Sequence, residues 1–393
     1  MFYLNHCALV CALGDTHAAI KAALLERAES GVAASDAYSP GRVLALGRVA
    51  AGLSSDAHLA PSQRSRNNRL ALAALAQIRP QVDHAIARFG AHRVGVVIGT
   101  STSGIAETEG ALRHYLAEGA LPDGFQYARQ EMGSAAQTLA AELGSDGPAY
   151  VHSSACSSAA KAMASAARLI GMGLCDAVLT GGVDSLCGFT VAGFSALESV
   201  SAARCNPFSA NRSGINIGEG AALFLMSREP AAVALAGWGE SSDGHHISAP
   251  DPSGAGAALA MTQALRRAGI APAQIDYINL HGTATPQNDA MEARVVASLF
   301  APDVALSSTK PFTGHTLGAA AAVEAALCWL AMQDDNPRGR LPPHLWDGVA
   351  DAALPALNLV APGAALGRPL RWALSSSFAF GGSNAALVLG RAS

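Results

Sequence analysis

A single cysteine in HSSACSSAAKAMASAARL, residues 152–169, is the first side chain in the sequence that could act as a nucleophile. Cys156 follows a strand-like apolar stretch and precedes an alanine-rich run of high helix propensity. Because Ser153 and Ser154 are good N-cap residues, we expect Cys156 in the first turn of a helix. The free amides and the dipole at that position favour a thiolate and can bind an oxyanion, although a lone cysteine is often a small core residue.

Two histidines could supply the accompanying proton transfers. His281 lies in NLHGTATPQND and His315 lies in TGHTLGAAAAVEA. Neutral imidazole N–H groups stabilise negative charge as it forms on an oxygen, and imidazole moves protons near neutral pH. A lone histidine is more often a core or capping residue, so the assignment depends on the surrounding motifs.

The elements that would position these residues alternate between apolar, strand-like runs and alanine-rich helical runs. This alternation predicts an α/β fold with a mostly buried sheet. The strand-like runs are RVGVVIGTSTSG (93–104), PAYVHSSAC (148–156), CDAVLTGGVD (175–184), GEGAALFLMSRE (218–229), DYINLHG (276–282), VALSSTK (304–310) and LSSSFAFGGSNAALVLG (374–390).

The two halves of the chain repeat these runs in the same order. VHSSACSSAAKAMASAARL resembles LSSTKPFTGHTLGAAAAVEAAL, and IGEGAALFLM resembles FGGSNAALVL. We therefore expect a duplicated α/β unit, with residues 1–235 carrying Cys156 and residues 236–393 carrying His281 and His315. The two helix starts would lie near a common centre, which favours the nucleophile interpretation of Cys156.

Taken together, four motifs resemble the β-ketoacyl-acyl carrier protein synthases of the elongating, Cys-His-His type, which have the thiolase fold. They occur in the family's order and approximate spacing, within a resemblance that runs from about residue 93 to the C-terminus. The resemblance implies α-β-α-β-α layers with mixed sheets. The motifs are SSACSS at Cys156, NLHGTATPQND at His281, SSTKPFTGHTLGAAAAVEA with Lys310 and His315, and FAFGGSN at 378–384.

The implied reaction is a decarboxylative Claisen condensation by an acyltransferase of fatty acid, polyene or polyketide-type synthesis. Cys156 would hold the acyl chain as a thioester, and His281 and His315 would stabilise the malonyl oxygen as its charge grows. Because substrates would arrive on the phosphopantetheine arm of acyl carrier protein, neither a separate cofactor nor a metal is expected. A homodimer, or a heterodimer with a similar subunit, is expected as well.

The resemblance also implies that Lys310 and Glu324 pair near the active centre and organise the histidines. Glu324 lies in a largely apolar helical run, where an unpaired carboxylate would be costly. A buried partner is therefore expected. The alternatives are a surface lysine and a glutamate on a solvated helix face.

Four further residues take roles by resemblance. The Phe380 amide would join that of Cys156 in the oxyanion hole, and its ring would screen the acyl pocket, while Phe194 would line the surroundings of the nucleophile. Thr283 and Thr285 would hydrogen-bond the pantetheine arm. As alternatives, Phe194 could be a core aromatic, and each threonine could cap a helix or face solvent.

Two positions depart from the family pattern. Ala379 stands where glycine is usual, which bears on any loop opening that needs glycine there. Ser209 stands where an acidic residue is common, and we expect this change to affect loop packing more than chemistry.

Arginines near the first long helix could form a basic rim for the acidic acyl carrier protein. Arg64, Arg66 and Arg69 lie in PSQRSRNNRLALAALAQ, and Arg129 is a weaker candidate. A cluster of this kind is as often an ordinary solvated face.

Composition excludes several other classes. A net charge of −4 gives no global attraction for nucleic acid or an anionic membrane. Mean hydropathy is +0.24, yet no window of about 18 residues lacks polar groups, so membrane insertion is not expected. The N-terminus shows no basic leader or clear cleavage site. Seven cysteines without C-x-x-C spacing fit the cytoplasm and argue against a zinc ribbon or a disulfide framework.

Three rival functions remain open. A non-catalytic, chain-length-controlling partner subunit usually lacks the cysteine that this chain has as Cys156. A thiolase acting on coenzyme A esters would carry a second catalytic cysteine in its C-terminal glycine-rich motif, where FAFGGSNAALVLG has none. A Cys-His hydrolase would leave one histidine and the duplication unexplained.

Overall fold

Residues 1–392, which the computed structural model describes, fold into twelve strands and ten α-helices. The strands are β1 (Phe2–Val10), β2 (Val32–Ser35), β3 (Leu44–Gly47), β4 (Val94–Gly99), β5 (Ala149–His152), β6 (Ala177–Asp184), β7 (Gly220–Ser227), β8 (Val233–Ser242), β9 (Tyr277–Asn279), β10 (Ala305–Ser307), β11 (Trp372–Ala379) and β12 (Ser383–Arg391). The helices are α1 (His17–Lys21), α2 (Arg66–Phe89), α3 (Ile105–Glu118), α4 (Ser134–Leu143), α5 (Ser158–Gly171), α6 (Gly188–Ala196), α7 (Ala255–Ala268), α8 (Pro286–Leu299), α9 (Lys310–Thr313) and α10 (Ala320–Ala331).

The main sheet is made of two equivalent halves. Its strand order is β10-β9-β11-β12-β8-β1-β7-β6-β4-β5, while β2 and β3 form a separate hairpin. Strand β4 pairs in parallel with β5 and β6, as β9 does with β10 and β11, and the antiparallel pair β6–β7 corresponds to β11–β12. The halves join where β1 meets β8 through two residue pairs, Phe2–Leu235 and Tyr3–Ala234. This repeat confirms the predicted duplicated α/β unit with mixed strand pairing.

Helices complete the predicted α-β-α-β-α layering. Helices α5 and α10 lie in the central layer, where both contact strands of both half-sheets. Helices α2 and α4 cover the outer face of the N-terminal half, and α7 and α8 cover that of the C-terminal half. The predicted domain boundary after residue 235 falls inside β8, which begins at Val233.

Small residues bring the two central helix starts close together. A Cβ on Gly182, in β6, would lie 2.8 Å from the Cβ of Ala159 and 2.9 Å from the Cα of Ala319. Ala159 belongs to α5, and Ala319 immediately precedes α10. The alanine-rich composition thus permits a close approach that larger side chains would prevent. Among residues 1–392, no helix is both long enough and apolar enough to cross a bilayer.

Candidate active site

Cys156 lies in the tight turn that connects β5 to α5. The preceding residue, Ala155, has a left-handed backbone with φ of 49°. The Ser157 hydroxyl donates to the carbonyl of Ser154 at 2.8 Å, and the Ser158 hydroxyl donates to that of Ala155 at 2.6 Å. These bonds close the turn before the helix begins, so the cap residue is Ser157.

The helix therefore starts later than the sequence predicts. Neither Ser153 nor Ser154 caps α5, and Cys156 precedes the first turn instead of lying within it. The serine hydroxyls satisfy carbonyls of the turn, which stabilises a non-helical connection at this point.

His315 reaches the cysteine from the other half of the chain. Its Nε2 lies 3.0 Å from the sulfur of Cys156. His315 follows Gly314, whose φ is 70°, and its backbone N–H donates to the carbonyl of Asn216 at 2.6 Å. The histidine backbone is thus fixed by the half of the molecule that supplies the cysteine.

His281 lies just beyond β9 and is held by its backbone. The N–H groups of His281 and Gly282 each donate to one carboxylate oxygen of Glu292, both at 2.7 Å. The ring stands edge-on to that of His315, with centroids 5.4 Å apart and planes at 84°. The sulfur of Cys156 and the imidazoles of His281 and His315 therefore lie around one shared space.

Burial and Lys310 together set the charge state of the two histidines, and Lys310 sets the tautomer of His281. Its ammonium forms a buried ion pair with Glu324, and its Nζ lies 3.4 Å from Nδ1 of His281. Burial, assisted by Lys310, lowers the pKa of both His281 and His315 well below the usual value, so both rings are neutral. Because an ammonium only donates, Nδ1 of His281 accepts and its Nε2 carries the proton.

The thiol of Cys156 is also neutral in the free protein. Burial raises its pKa to about 12, and this effect outweighs the opposing influence of Lys310 and of a hydrogen bond from the Phe380 backbone N–H. The expectation that the helix start favours a thiolate is therefore not met, because desolvation dominates and Cys156 lies outside the first turn. The sulfur becomes strongly nucleophilic only when a base accepts its proton, and Nε2 of His315 is within reach.

The wall opposite the cysteine is a hairpin loop between β11 and β12. Ala379 pairs with Ser383, leaving Phe380 in a three-residue loop in which Gly382 has a φ of 72°. A Cβ on Gly382 would lie 2.9 Å from the Cβ of Asp243, so glycine is required there on both grounds. Ala379 has an extended backbone, with φ of −97° and ψ of 153°, which needs no glycine.

These side chains surround a pocket of about 50 Å³ that also contains the predicted contacts of the substrate arm. The rings of Phe194 and Phe380 lie 5.3 Å apart at its edge. Thr283 and Thr285 line the pocket with their hydroxyls 2.9 Å apart. Every residue predicted at the reaction centre or along the arm thus either lines the pocket or, for Lys310 and Glu324, supports it from behind.

The arginines do not join this site. Arg66 pairs with the fully buried Glu219, at 2.8 Å from its Nε. The guanidinium groups of Arg64, Arg69 and Arg129 bond backbone carbonyls of neighbouring loops. Arg66 is therefore tied into the structure, whereas Arg64 and Arg69 remain partly exposed beside the start of α2.

Sequence reasoning missed a buried acid that joins the two halves. Asp184 accepts hydrogen bonds from residues of the loop after β4 and from the Gly318 N–H, next to the His315 segment. Glu292, which holds His281, was missed as well. A charge ending the apolar strand CDAVLTGGVD and a charge within the helical run PQNDAMEARVV are the signals that could have marked them.

The other departure from the family pattern, Ser209, forms a hydrogen bond to a neighbouring loop. Its hydroxyl donates to Asp347 at 2.8 Å, and Asn211 donates to the other oxygen of the same carboxylate at 2.9 Å. An acidic residue at 209 would instead repel that carboxylate.

The reaction centre also has the spacing of a three-ligand metal site. Potential ligand atoms of Cys156, His281 and His315 lie within 4.8 Å of one another. Two features oppose a divalent cation: the Lys310 ammonium adjoins one imidazole, and the thiol has a raised pKa although zinc requires the thiolate. The donors fit proton transfer and acyl transfer better than they fit a metal.

Comparisons with known proteins agree with this geometry. The N-terminal domain of the β-ketoacyl synthase family matches residues 56–232, and its C-terminal domain matches residues 232–345. A chain from the complex of the ketosynthase ApeO with its chain length factor ApeC, from Xenorhabdus doucetiae, is 44% identical with a TM-score of 0.93, over 100% of this chain and 98% of that one.

Two curated relatives have names that state an activity. The 3-oxoacyl-[acyl-carrier-protein] synthase 2 of Staphylococcus aureus is 31% identical over 84% of this chain and 86% of its own length. A mitochondrial 3-oxoacyl-[acyl-carrier-protein] synthase of Arabidopsis thaliana is 37% identical over 63% of this chain, and the match spans 57% of that relative, less than two thirds of its length.

Proposed function

The chain belongs to the β-ketoacyl synthase family, and we propose that it is a 3-oxoacyl-[acyl-carrier-protein] synthase that extends an acyl chain held on Cys156. The observation that carries the proposal is the convergence of one thiol and two neutral imidazoles on a pocket lined by hydroxyls. The substrates are thioesters of acyl carrier protein, so the reaction needs no separate cofactor.

In the first step the acyl chain moves from the carrier to Cys156. Nε2 of His315, 3.0 Å from the sulfur, accepts the thiol proton as the sulfur attacks the thioester carbonyl. The backbone amides of Cys156 and Phe380 stabilise the oxyanion. When the tetrahedral intermediate collapses, the carrier thiolate leaves and takes the proton from His315.

In the second step a malonyl thioester loses carbon dioxide and its carbon attacks the acyl group. Nε2–H of His281, fixed as a donor by Lys310, binds the malonyl thioester oxygen as enolate charge develops. His315 binds the same oxygen as its Nε2–H tautomer, which it reaches by proton exchange with water after the first step. The enolate carbon then forms the new carbon–carbon bond, and Cys156 leaves as a thiolate. A proton from water, passed on by His315, restores the thiol, because loss of carbon dioxide from a carboxylate makes the reaction take up one proton.

Mass spectrometry of Cys156 tests the assignment. Incubation with acyl carrier thioesters of varied chain length and unsaturation should add the matching acyl mass to the peptide containing Cys156. Malonyl carrier should then remove that mass and yield a β-ketoacyl product. The preferred acyl group will distinguish fatty acid synthesis from polyene or polyketide-type synthesis. Absence of acylation with every thioester would overturn the proposal.

A non-catalytic partner subunit is the second candidate, because the Xenorhabdus complex contains a chain length factor. The complete set of Cys156, His281 and His315 in one pocket favours the catalytic role. Acylation of Cys156 without release of a condensed product, in the presence of malonyl carrier, would favour the partner role instead.

We also propose that one face of α3 binds a second subunit of the same fold. Leu112, Tyr115 and Leu116, spaced to share that face, have exposed fractions of 52%, 49% and 82%. Leu116→Arg should shift the chain to monomer in light-scattering measurements, whereas Leu259→Arg, at a 51% exposed site on α7, should not. If the purified chain is monomeric, the same pair of variants can be tested by co-purification with a similar subunit, and equal retention would contradict the proposal.

Three further assignments are part of this proposal. The N-terminal half supplies the nucleophile, and the C-terminal half supplies the histidines. Acyl carrier protein is the substrate donor. All seven cysteines are free and buried, which supports a location in the reducing cytoplasm.

A further inference from the structure

Lys161 is a charged residue of the central helix that the proposed chemistry does not use. It lies on α5, five positions after Cys156, and is partly buried. Its Nζ donates a hydrogen bond to the Ser383 hydroxyl at 2.5 Å. Glu240, the acid that acts on Lys161 through space, is itself paired with Arg168. The Lys161 ammonium therefore has its side-chain hydrogen bond with Ser383, a residue of the C-terminal half.

Ser383 anchors the loop that carries the Phe380 amide. It is the first residue of β12 and pairs with Ala379, the last residue of β11, so the two close the loop formed by Phe380, Gly381 and Gly382. The Phe380 N–H meets the Cys156 sulfur. Fixing Ser383 consequently fixes one end of the loop that positions this amide.

The contact continues into the nucleophile turn. The Ser383 hydroxyl lies 2.9 Å from that of Ser157, which donates to the carbonyl of Ser154 at 2.8 Å. An ammonium can only donate, so Ser383 accepts from Lys161. Because the Ser157 proton goes to the Ser154 carbonyl, Ser383 donates its own proton to Ser157. The result is a directed chain from Lys161 to Ser154, and its charged end strengthens the bonds that follow.

We propose that Lys161 is a positioning residue that holds the Phe380 and Cys156 amides at the spacing of the oxyanion hole. These two amides come from different halves of the duplicated fold, and the Lys161–Ser383–Ser157 chain is a polar link between those halves. A displacement of about 1 Å at a reacting centre can lower a rate by about a hundredfold, so a link of this kind has a measurable effect. The inference rests on the proposed acyl transfer.

Two reactions of the Cys156 sulfur distinguish a role of Lys161 in the oxyanion hole from a role in thiol reactivity or folding. Acylation of Cys156 by an acyl carrier thioester needs the oxyanion hole, whereas alkylation by iodoacetamide attacks a tetrahedral carbon and does not. Lys161→Met should slow acylation about tenfold, with the loss in kcat and not in KM, and should leave the alkylation rate unchanged. Arg168→Met, which removes another positive charge from α5 without touching the 380–383 loop, should change neither rate.

A double-mutant cycle tests the chain itself. Ser383→Ala should slow acylation as Lys161→Met does, and adding Lys161→Met to Ser383→Ala should cost less than a further twofold. Ser383→Ala also covers the case in which Lys161→Met fails to fold, because it removes a single oxygen.

Three results would overturn the inference: an unchanged acylation rate, an equal loss in alkylation, or fully additive effects of the two substitutions. Equal losses would assign Lys161 to thiol reactivity or to folding. If the wild-type chain itself is not acylated, the proposed function fails. If the wild type is acylated and the Lys161→Met variant is acylated equally fast, the proposed function stands and only the role of Lys161 fails.

Discussion

Two connections occupy equivalent places in the duplicated fold but carry different chemistry. In the N-terminal half, residues 153–157 lead from β5 to α5 and place Cys156 at the centre. In the C-terminal half, residues 308–319 lead from β10 to α10 and include α9 and His315. The short connection presents one side chain from a strained turn. The longer one has room to bury Lys310 and to return to the centre with an imidazole.

The difference shows how a repeated fold can divide a reaction. The N-terminal connection contributes a protonated thiol with a raised pKa, which does not react without a base. In the proposed mechanism the C-terminal half contributes that base, His315, along with His281, Lys310 and the Phe380 amide. Bond formation to the acyl group would then take place on one half, and the other half would control most of the protons and charge.

Removing the sulfur should have the largest effect. Cys156→Ala should reduce condensation on the order of 10⁴-fold or more, because no other group can hold the acyl chain. The variant should keep its fold and should still decarboxylate malonyl carrier thioester, since His281 and His315 remain. Carbon dioxide release, product formation and thermal unfolding measure the three outcomes. Condensation near the wild-type rate would remove Cys156 from its role and end the division of labour.

The two histidines should separate in a way that sharpens the comparison. His281→Ala and His315→Ala should each slow condensation on the order of a hundredfold or more, because each removes a donor from the enolate oxygen. His315→Ala should also slow acylation, since its Nε2 is the group placed to accept the proton of Cys156, whereas His281→Ala should spare acylation. Single-turnover acylation and steady-state condensation distinguish the steps. Equal acylation rates in both variants would mean that another base serves the thiol.

The sequence predicted the parts of this site that depend on local motifs and chain order. The duplication could be read from repeated strand, loop and helix patterns, and the strand order confirms it. The grouping of Cys156 with His281 and His315 followed from the resemblance of their motifs to those of the β-ketoacyl synthases. Each motif can be recognised locally, because its residues are close together in the chain.

Features that depend on distant contacts could not be read in this way. The pKa of Cys156 depends on its burial in the folded chain. The late start of α5 is a local feature, because the two serine hydroxyls that close the turn bond carbonyls only three positions away, and it was nevertheless missed. Arg66 looked like a free surface charge until the fold brought it to Glu219, which is 153 positions away. Burial and long-range pairing depend on the tertiary structure, so a local sequence pattern does not predict them.

Glu292 offers a way to test how firmly the C-terminal half holds its histidine. Burial raises the pKa of this carboxyl from 4.5 to about 7, so between these pH values the folded state binds a proton that the unfolded chain has released. Stability should therefore fall as pH rises through this window. At about 1.4 kcal/mol per pKa unit the loss is about 3 kcal/mol, and it is complete above pH 7.

Urea unfolding at a series of pH values measures this dependence. The wild type should lose about 3 kcal/mol of unfolding free energy between pH 5 and pH 8, whereas Glu292→Gln should not. The difference between the two proteins should therefore grow by that amount across the range. Glu118→Gln, at an exposed position on α3, should track wild type throughout. A constant difference between Glu292→Gln and wild type would show that the carboxyl does not titrate in the folded state.

The smallest effect should come from the partly exposed arginines of the N-terminal half, which extend the comparison to carrier recognition. If Arg64 and Arg69 meet the acidic carrier protein, reversing both charges should raise KM for the carrier-bound substrate several-fold and scarcely change turnover of a small thioester, because exposed charges contribute about 0.2–1 kcal/mol each. The penalty should shrink with added salt, since the Debye length falls to about 3 Å near 1 M. Arg66→Ala is the contrasting variant: it leaves the buried Glu219 unpaired and should lower thermal stability instead of raising KM selectively. Equal losses on carrier-bound and small substrates in the Arg64 and Arg69 variant would indicate damage to α2 and would contradict the carrier-binding role.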